Sequence, residues 1–216
     1  MEEPQSARGN HAVLVVIDHA TKWVEAKACS DETAETAARF VFENIICRHG
    51  APKEIWSDRG KCFTGEVMAH LSKLCGIEQR FTSGYHPQTN GLTEQMNRTI
   101  NEMLAKAVAD NQRNWDELLP ALVWSYNTSK HSATGYSPFE LNHGHAPVLP
   151  LDAKLQDDSV PLRASEWVRT LGEQVKMLQN ANLANQKKAA AAQAAQYNKD
   201  KKRAAQIKVG DLVRWC

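Results

Sequence analysis

A short apolar run near the amino terminus places the strongest constraint on the fold. Residues 11–18 read HAVLVVID, a stretch in which β-branched residues dominate and only the ends are polar. A run of this length and composition predicts a buried β-strand. The segment KWVEAKA at 22–28 follows after a brief turn and alternates apolar with polar residues. We therefore expect these two segments to form a β-hairpin.

Helical and strand-like patterns alternate through the rest of the first 128 residues. The predicted elements are helices over 31–47, 66–74, 92–108 and 115–128, and strands over 53–58 and 77–82. Asp31 is a candidate cap for the first helix, and Gly50 and Pro52 follow its end. Strands that alternate with helices favour an α/β fold in which helices flank the sheet.

The segment after Pro150 has a different composition. Val168, Leu171, Val175 and Leu178 follow a heptad-like spacing, and Ala, Gln, Lys and Asn then dominate to Asn198. This pattern predicts a solvated linker helix or a short coiled coil. IKVGDLVRW at 207–215 reads as the first strand of a further domain, because a lone strand is not stable by itself.

Charge is distributed unevenly along the chain. The formal net charge is only +1, but seven basic residues and one acidic residue lie between Lys187 and Lys208. A basic tail on an acidic core suggests phosphate contact at one end and metal binding in the core. The alternative is an ordinary solvated lysine-rich helix face.

Several classes of protein are disfavoured by the sequence. No stretch approaches the roughly 18 consecutive apolar residues that span a bilayer, and the polar start MEEPQSARGN is not a secretory signal. The five cysteines contain no CxxC pair, which indicates reduced thiols. We expect a nuclear or cytoplasmic protein that has no membrane partner.

Two carboxylates are candidate metal ligands. Asp58 ends the strand KEIWSD, and Glu94 is expected in the first turn of the helix that follows the turn-rich segment SGYHPQTNG. Carboxylates at strand ends and helix starts can share Mg²⁺, which prefers oxygen ligands. Two such ions about 4 Å apart can assist phosphodiester chemistry. Taken alone, either residue would more often be a solvated surface carboxylate than a metal ligand.

The residues around these carboxylates carry a family resemblance. Thirty-five residues separate Asp58 from Glu94, and the segments WSDRGKCFTG and YHPQTNGLTEQMNRTI surround them. Together these resemble the D-D-35-E core of retroviral and gypsy-type LTR retrotransposon integrases. HAVLVVIDHATKWVEA, NWDELLPALVWSYNTSKHSATGYSPFELNHGHAP and YNKDKKRAAQIKVGDLV also look like parts of that family. The resemblance covers about Ala12 to Val213.

The resemblance implies an RNase H-like fold, in which helices flank a mixed sheet that we expect to lack its first strand, followed by a C-terminal helical linker. It also implies the joining of DNA 3′ ends to target DNA. It implies a two-metal Mg²⁺ or Mn²⁺ site with Asp58 and Glu94 as catalytic metal ligands. The expected partners are DNA and further copies of the chain. The residues expected to contact DNA lie in the loop, on the helix after it and in the basic tail: Tyr85, Gln88, Asn90, Asn97, Arg98, Lys199, Lys201, Lys202 and Arg203.

One part of the family's pattern has no match. The family's first aspartate sits on a first strand upstream of the one that matches HAVLVVID, and MEEPQSARGN holds neither an apolar run nor an aspartate. Asp18 is the nearest substitute, but its place on the second strand suggests a turn or strand-end residue. We therefore expect an impaired catalyst, or alternatively a domesticated, non-catalytic remnant that binds nucleic acid or protein.

The sequence divides into four expected segments. They are a polar leader over 1–10, an N-terminally truncated integrase catalytic core over 11–150, a helical linker over 151–205, and the first strand of a truncated C-terminal barrel over 206–216.

Overall fold

The computed structural model describes 5–81, 87–108, 112–148 and 164–200. Its strands are β1 (Ala12–Ile17), β2 (Val24–Cys29), β3 (Glu54–Ser57) and β4 (Glu78–Phe81). Its helices are α1 (Ala34–Phe40), α2 (Cys47–His49), α3 (Lys61–Thr64), α4 (Glu66–Cys75), α5 (Pro87–Ala107), α6 (Trp115–Thr128), α7 (Pro138–His143) and α8 (Ala164–Asp200). Val41–Ile46 is π-helical and Gln112–Asn114 is a 3-10 turn. None of the helices in the described ranges is both long and apolar enough to cross a membrane.

The predicted hairpin is confirmed. β1 and β2 pair antiparallel, with Ala12 opposite Cys29 at one end and Ile17 opposite Val24 at the other. Because successive side chains alternate across a strand, the hairpin presents one apolar face to each side of the molecule. Both faces are covered by helices.

One face of the hairpin packs against α5 and α6. The cluster that forms there contains Val13, Val24, Met96, Ile100, Leu104, Trp115 and Leu119, all buried. The α5 residues in this cluster lie four positions apart, which is the spacing that aligns side chains along one side of a helix. This contact fixes the axis of α5 against the hairpin.

The other face of the hairpin packs against α1, which also reaches the second strand pair. Ala37 and Phe40 contact the β1 side chains of Ala12 and Leu14. Ala38 and Val41 form a neighbouring cluster with Met68 of α4, against which Ile55 of β3 packs. The helical segment that starts with α1 therefore joins the hairpin to the β3–β4 unit.

The strands form two pairs rather than one continuous sheet. β3 and β4 pair parallel, from Glu54 opposite Glu78 to Ser57 opposite Phe81. Among the described residues β1 pairs only with β2, and β3 only with β4. The mixed α/β class is confirmed, and no strand in the described ranges bridges the two pairs.

The first helix starts later than predicted. Its cap is Thr33, whose side chain accepts a hydrogen bond from the Thr36 backbone N–H at 3.2 Å. Asp31 accepts hydrogen bonds from Thr33 Oγ1 at 2.6 Å and from Thr36 Oγ1 at 2.5 Å. Asp31 therefore supports the cap from outside the helix instead of providing it.

α5 starts five residues earlier than predicted. It begins at Pro87, within the segment that was expected to be a loop. Proline suits the first helical position because its fixed φ is helical and its missing N–H has no partner there in any case. Glu94, expected in the first turn, consequently lies about two turns into the helix.

Residues of the expected polar leader pack against α6. Ser6 Oγ donates to Asp116 Oδ2 at 2.9 Å, and Asn10 Nδ2 donates to the same oxygen at 2.8 Å. Burial opposes ionisation of Asp116, but the hydrogen bonds from Asn10 and Ser6 outweigh it and lower its pKa. These contacts attach the chain before β1 to the start of α6.

Helix α8 is present where a solvated linker helix was expected, and one side of it contacts the core. Asn182 Nδ2 donates to the Ala20 carbonyl at 2.9 Å, and Asn182 is only 7% exposed. Asn185 Nδ2 donates to the Thr134 carbonyl at 2.7 Å. These amides satisfy turn carbonyls, so this part of α8 is anchored to the core.

Candidate active site

Asp58 lies directly after β3, as the sequence predicts, and it is exposed to solvent. Its Oδ1 accepts a hydrogen bond from the Gly60 backbone N–H at 2.9 Å. A Cβ at Gly60 would lie 2.9 Å from the same oxygen, so a side chain there would force the carboxylate to shift. The short Asp-Arg-Gly segment therefore holds this carboxylate in place.

The surroundings of Asp58 are acidic. Burial raises the pKa of the Cys62 thiol, and the carboxylates of Asp58 and Glu32 raise it further. Burial also raises the pKa of Cys29, again with help from Glu32. Because Cys29 ends β2, Asp58 and Glu32 lie toward the same end of the hairpin. Glu32 has no motif that marks it in the sequence, because it is an exposed acid between a strand and a helix.

The second predicted ligand, Glu94, belongs to α5. β3 and β4 are parallel, so Asp58 and the end of β4 at Phe81 lie at the same edge of this strand pair. Glu94 is helical, but its side chain lies outside the described residues. That Asp58 and Glu94 share a metal ion therefore stays a prediction.

Two predicted DNA contacts are described on α5. Arg98 has a side chain that is 77% exposed, and its Nε lies 3.7 Å from Glu102 Oε1. An exposed ion pair of this kind contributes little, so it does not prevent the guanidinium from reaching a phosphate. Asn97 is half-buried beside it. Both lie one turn beyond Glu94 along the helix.

The other predicted DNA contacts are not described at the level of side chains. Gln88 and Asn90 are placed in α5 instead of the expected loop, and Lys199 lies near the end of α8. The side chains of these three and all of Tyr85, Lys201, Lys202 and Arg203 lie outside the described residues.

Asp18 is a turn residue. Its Oδ2 accepts hydrogen bonds from both the backbone N–H and the Oγ1 of Thr21, each at 2.7 Å. Its backbone N–H donates to the Trp23 carbonyl at 2.8 Å, which closes the β1–β2 turn. This turn is at the opposite end of the hairpin from Cys29, about five strand residues or 17 Å away. Asp18 is therefore not placed to complete a site at Asp58.

A carboxylate site for a divalent ion is only partly assembled in the described ranges. Asp58 fits as one oxygen ligand, because no described residue donates to its Oδ2 and the side chain is exposed. Within those ranges, however, no three His, Cys, Asp or Glu side chains are grouped so that they could hold a metal.

Residues 4–87 match the family described as the integrase core domain. This range contains both strand pairs, α1 to α4 and Asp58. The chain carries an integrase core domain. The resemblance expected from the sequence is thus confirmed.

Relatives of this integrase core domain are parts of much longer proteins. The Gag-Pol polyprotein of Koala retrovirus is 37% identical over 179 residues, which is 78% of this chain and 10% of that protein. The Transposon Tf2-3 polyprotein of Schizosaccharomyces pombe is 31% identical over 187 residues, 86% of this chain and 14% of that protein. The chain therefore spans roughly a tenth of the curated relatives that it matches.

Solved integrases share the fold. The catalytic core domain of BIV integrase is 26% identical with a TM-score of 0.51 over 60% of this chain and 84% of that one. A simian T-cell lymphotropic virus intasome chain has a TM-score of 0.58 at 21% identity, over 74% of this chain and 56% of that one. The chain thus has the RNase H-like fold of integrase cores.

Proposed function

We propose that the chain provides a polynucleotidyl-transferase core for DNA integration, which joins DNA 3′ ends to target DNA. The observation that carries this proposal is the position of Asp58, exposed at the carboxyl end of β3 inside the range that matches the integrase core domain. Asp58 and Glu94 would each give an oxygen ligand to Mg²⁺ or Mn²⁺. Such an ion, when bound, would activate the attacking oxygen and stabilise the leaving one.

The chain's own residues would position DNA around these carboxylates. Gly60 holds Asp58 Oδ1, so that its other oxygen is left for a ligand. Arg98 would contact a phosphate close to the helix position of Glu94. Tyr85, Gln88 and Asn90 would approach the DNA end, as in the family that the sequence resembles.

We further propose that the 216-residue polypeptide is a weak catalyst by itself. Asp58 and Glu94 would offset only two of the four positive charges of a two-metal site, and Asp18 is held in a distant turn. β1 and β3 each have one edge without a strand neighbour among the described residues, and an aspartate-bearing strand could be added there. Loss of one ligand should cost several kcal/mol, with each 1.36 kcal/mol equal to a factor of ten in rate.

A strand-transfer assay tests this proposal. The purified chain is incubated with Mg²⁺ or Mn²⁺ and a pre-processed DNA end, and we expect no joining above background. Addition of an upstream strand that bears an aspartate should restore joining, and Asp58→Asn in that extended chain should abolish it. Efficient joining by the unmodified chain that disappears in Asp18→Asn would contradict the proposal.

A non-catalytic role in binding DNA is the second candidate. It is favoured by the basic residues between Lys187 and Lys208. Neutralising phosphates releases counterions, so affinity should fall steeply with salt. Truncation after Gln186 keeps the α8 amide contacts and should flatten the slope of log affinity against log salt. An unchanged slope would place the DNA contacts elsewhere.

We also propose that the chain forms homo-oligomers. The support comes from a relative, since the HTLV-2 integrase catalytic core domain was solved in a trimeric form. Light scattering of the purified chain measures its mass directly, and a monomer at all accessible concentrations would refute this part.

A further inference from the structure

An open cavity of about 520 Å³ lies at the turn end of the β1–β2 hairpin. We call it the Trp23 cavity. Its lining comes from β2 and the residue before it, from α2 and from α7: Trp23, Glu25, Arg48, His49, Asn142 and His143. It is about 17 Å from the Cys29 end of β2, near which Asp58 and Glu32 lie. The two sites are therefore separate.

Glu25 organises the polar wall of the cavity. Its side chain is only 12% exposed. Oε1 accepts a hydrogen bond from Trp23 Nε1 at 3.0 Å and lies 3.1 Å from His49 Nε2. Oε2 accepts from Arg48 Nη1 at 3.4 Å. A carboxylate this buried requires such partners, and in return it fixes the orientation of the indole and the imidazole.

Aromatic rings surround Trp23. The Trp23 and His143 ring centroids are 5.2 Å apart, and His143 stacks on Phe139 at 4.1 Å with 17° between the planes. His143 Nδ1 lies 3.1 Å from the Phe139 carbonyl, which holds the imidazole in this stack. The His49 ring lies edge-on to the Trp23 ring, with 5.9 Å between the ring centroids. The cavity thus combines flat apolar rings with cationic and amide donors.

Unusual backbone converges on this cavity. Lys22, directly before Trp23, has a φ of 65° and is the only non-glycine residue in the described ranges with a positive φ. The π-helical segment Val41–Ile46 leads directly into Arg48 and His49. The φ of Lys22 belongs to the β1–β2 turn, in which its backbone N–H donates to the Asp18 carbonyl at 2.9 Å, and this turn places Trp23 at the cavity.

We propose that the Trp23 cavity binds one nucleotide of a single strand of nucleic acid, with the base against Trp23 and the phosphate on Arg48. The Arg48 side chain is 57% exposed and makes one long contact, so most of its five N–H donors are available to a phosphate. Aromatic rings beside an arginine are the combination that proteins use to bind unpaired strands. The Asn142 amide can pair with a base edge.

The test uses a ligand too short to bridge to the basic tail. The full chain is labelled with 5-fluorotryptophan, which gives six ¹⁹F signals for the six tryptophans, and Trp23→Phe assigns one of them. In the absence of metal, the labelled chain is titrated with the single-stranded dinucleotide d(pApA). A second titration uses an abasic dinucleotide that carries the same phosphates. We expect a saturable shift of the Trp23 signal and at least a tenfold weaker response to the abasic ligand, because stacking is lost.

Matched variants complete the test. Arg48→Gln should lower the affinity for d(pApA) at least tenfold. Arg39→Gln replaces an exposed arginine of α1 that pairs with Glu35, and it should change this affinity less than twofold. Any of three results would overturn the proposal: a Trp23 signal that does not shift, an equal response to the abasic ligand, or an unchanged affinity of Arg48→Gln for d(pApA). Tighter binding of an acidic, tryptophan-bearing peptide at Trp23 would instead assign the cavity to a protein partner. No outcome depends on the joining assay, since no metal is present.

Discussion

The two ends of the β1–β2 hairpin are held together in different ways. At the carboxylate end, near Cys29, the hydrogen bonds are local: Asp58 bonds Gly60, and Asp31 bonds Thr33 and Thr36. At the turn end, Glu25 contacts Arg48 and His49 across more than twenty residues of sequence. The first end is therefore encoded in short motifs, and the second depends on the assembled tertiary structure.

This difference predicts where substitutions are costly. Short local bonds at exposed positions can be replaced by water, so their loss should affect chemistry more than stability. The long-range bonds between Asn127 and the Val24 backbone at the turn end are buried, so no water can replace them. The turn end should consequently dominate stability, and the carboxylate end should dominate activity.

The largest stability effect is expected for Asn127→Ala. Asn127 is 2% exposed, and its side-chain amide bonds both the N–H and the C=O of Val24 at the start of β2, at 3.0 and 2.9 Å. Alanine would leave two buried backbone groups unsatisfied, at a cost of about 2–4 kcal/mol. Urea unfolding measures this loss of stability. The control is Asn101→Ala at an exposed position of α5, which should change the free energy of unfolding by less than about 0.5 kcal/mol. Equal effects of the two variants would contradict the assignment.

A smaller loss is expected where α8 meets the hairpin turn. Asn182→Ala removes the bond to the Ala20 carbonyl and should lower the free energy of unfolding by about 1 kcal/mol. The matched control is Asn180→Ala, at an exposed position of the same helix. If the two variants have the same stability, α8 is not anchored in solution.

At the carboxylate end, Asp31 should make stability depend on acid pH. Hydrogen bonds from the side chains of Thr33 and Thr36 lower its pKa from 3.8 to about 2. The folded pKa is depressed, so this contribution is present above the ordinary value and is lost as pH falls from about 4 toward 2. The stability difference between the chain and Asp31→Ala, followed by urea unfolding from pH 6 to 2.5, should shrink over that interval. A difference independent of pH would disprove the cap support.

The smallest effect concerns the thiol beside Asp58. Burial and the carboxylates of Asp58 and Glu32 raise the pKa of Cys62, so Asp58→Asn should increase its thiolate fraction. We expect alkylation of Cys62 to accelerate roughly twofold, while the exposed Cys47 should react at an unchanged rate. Peptide mass spectrometry separates the two sites. An unchanged alkylation rate at Cys62 would show that Asp58 does not lie close to this thiol.

Sequence alone predicted the features that depend on local pattern. The hairpin, the helix over 115–128 and the strand that presents Asp58 were confirmed because periodicity and turn residues determine them. The start of α5 was placed too late, because the polar residues of SGYHPQTNG hid a helix that Pro87 can begin. The sequence did not predict Glu25 and its partners, because contacts between residues so far apart along the chain produce no recognisable spacing pattern.

Which strand edges pair was beyond sequence reasoning. The alternation of strands and helices predicts a sheet, but alternation does not specify which edges meet. The helical segment that starts with α1 joins the two strand pairs through Phe40 and Val41, and no strand pairing between them is seen in the described ranges.

The most direct test of the proposed active site is a crystal structure of the chain grown with Mn²⁺, in which anomalous scattering locates the ion. The account predicts one manganese peak with an oxygen of Asp58 and an oxygen of Glu94 among its ligands, each at about 2.1 Å. Carboxylates more than about 10 Å apart with no ion between them would contradict it, because direct ligands of one ion cannot be separated so far.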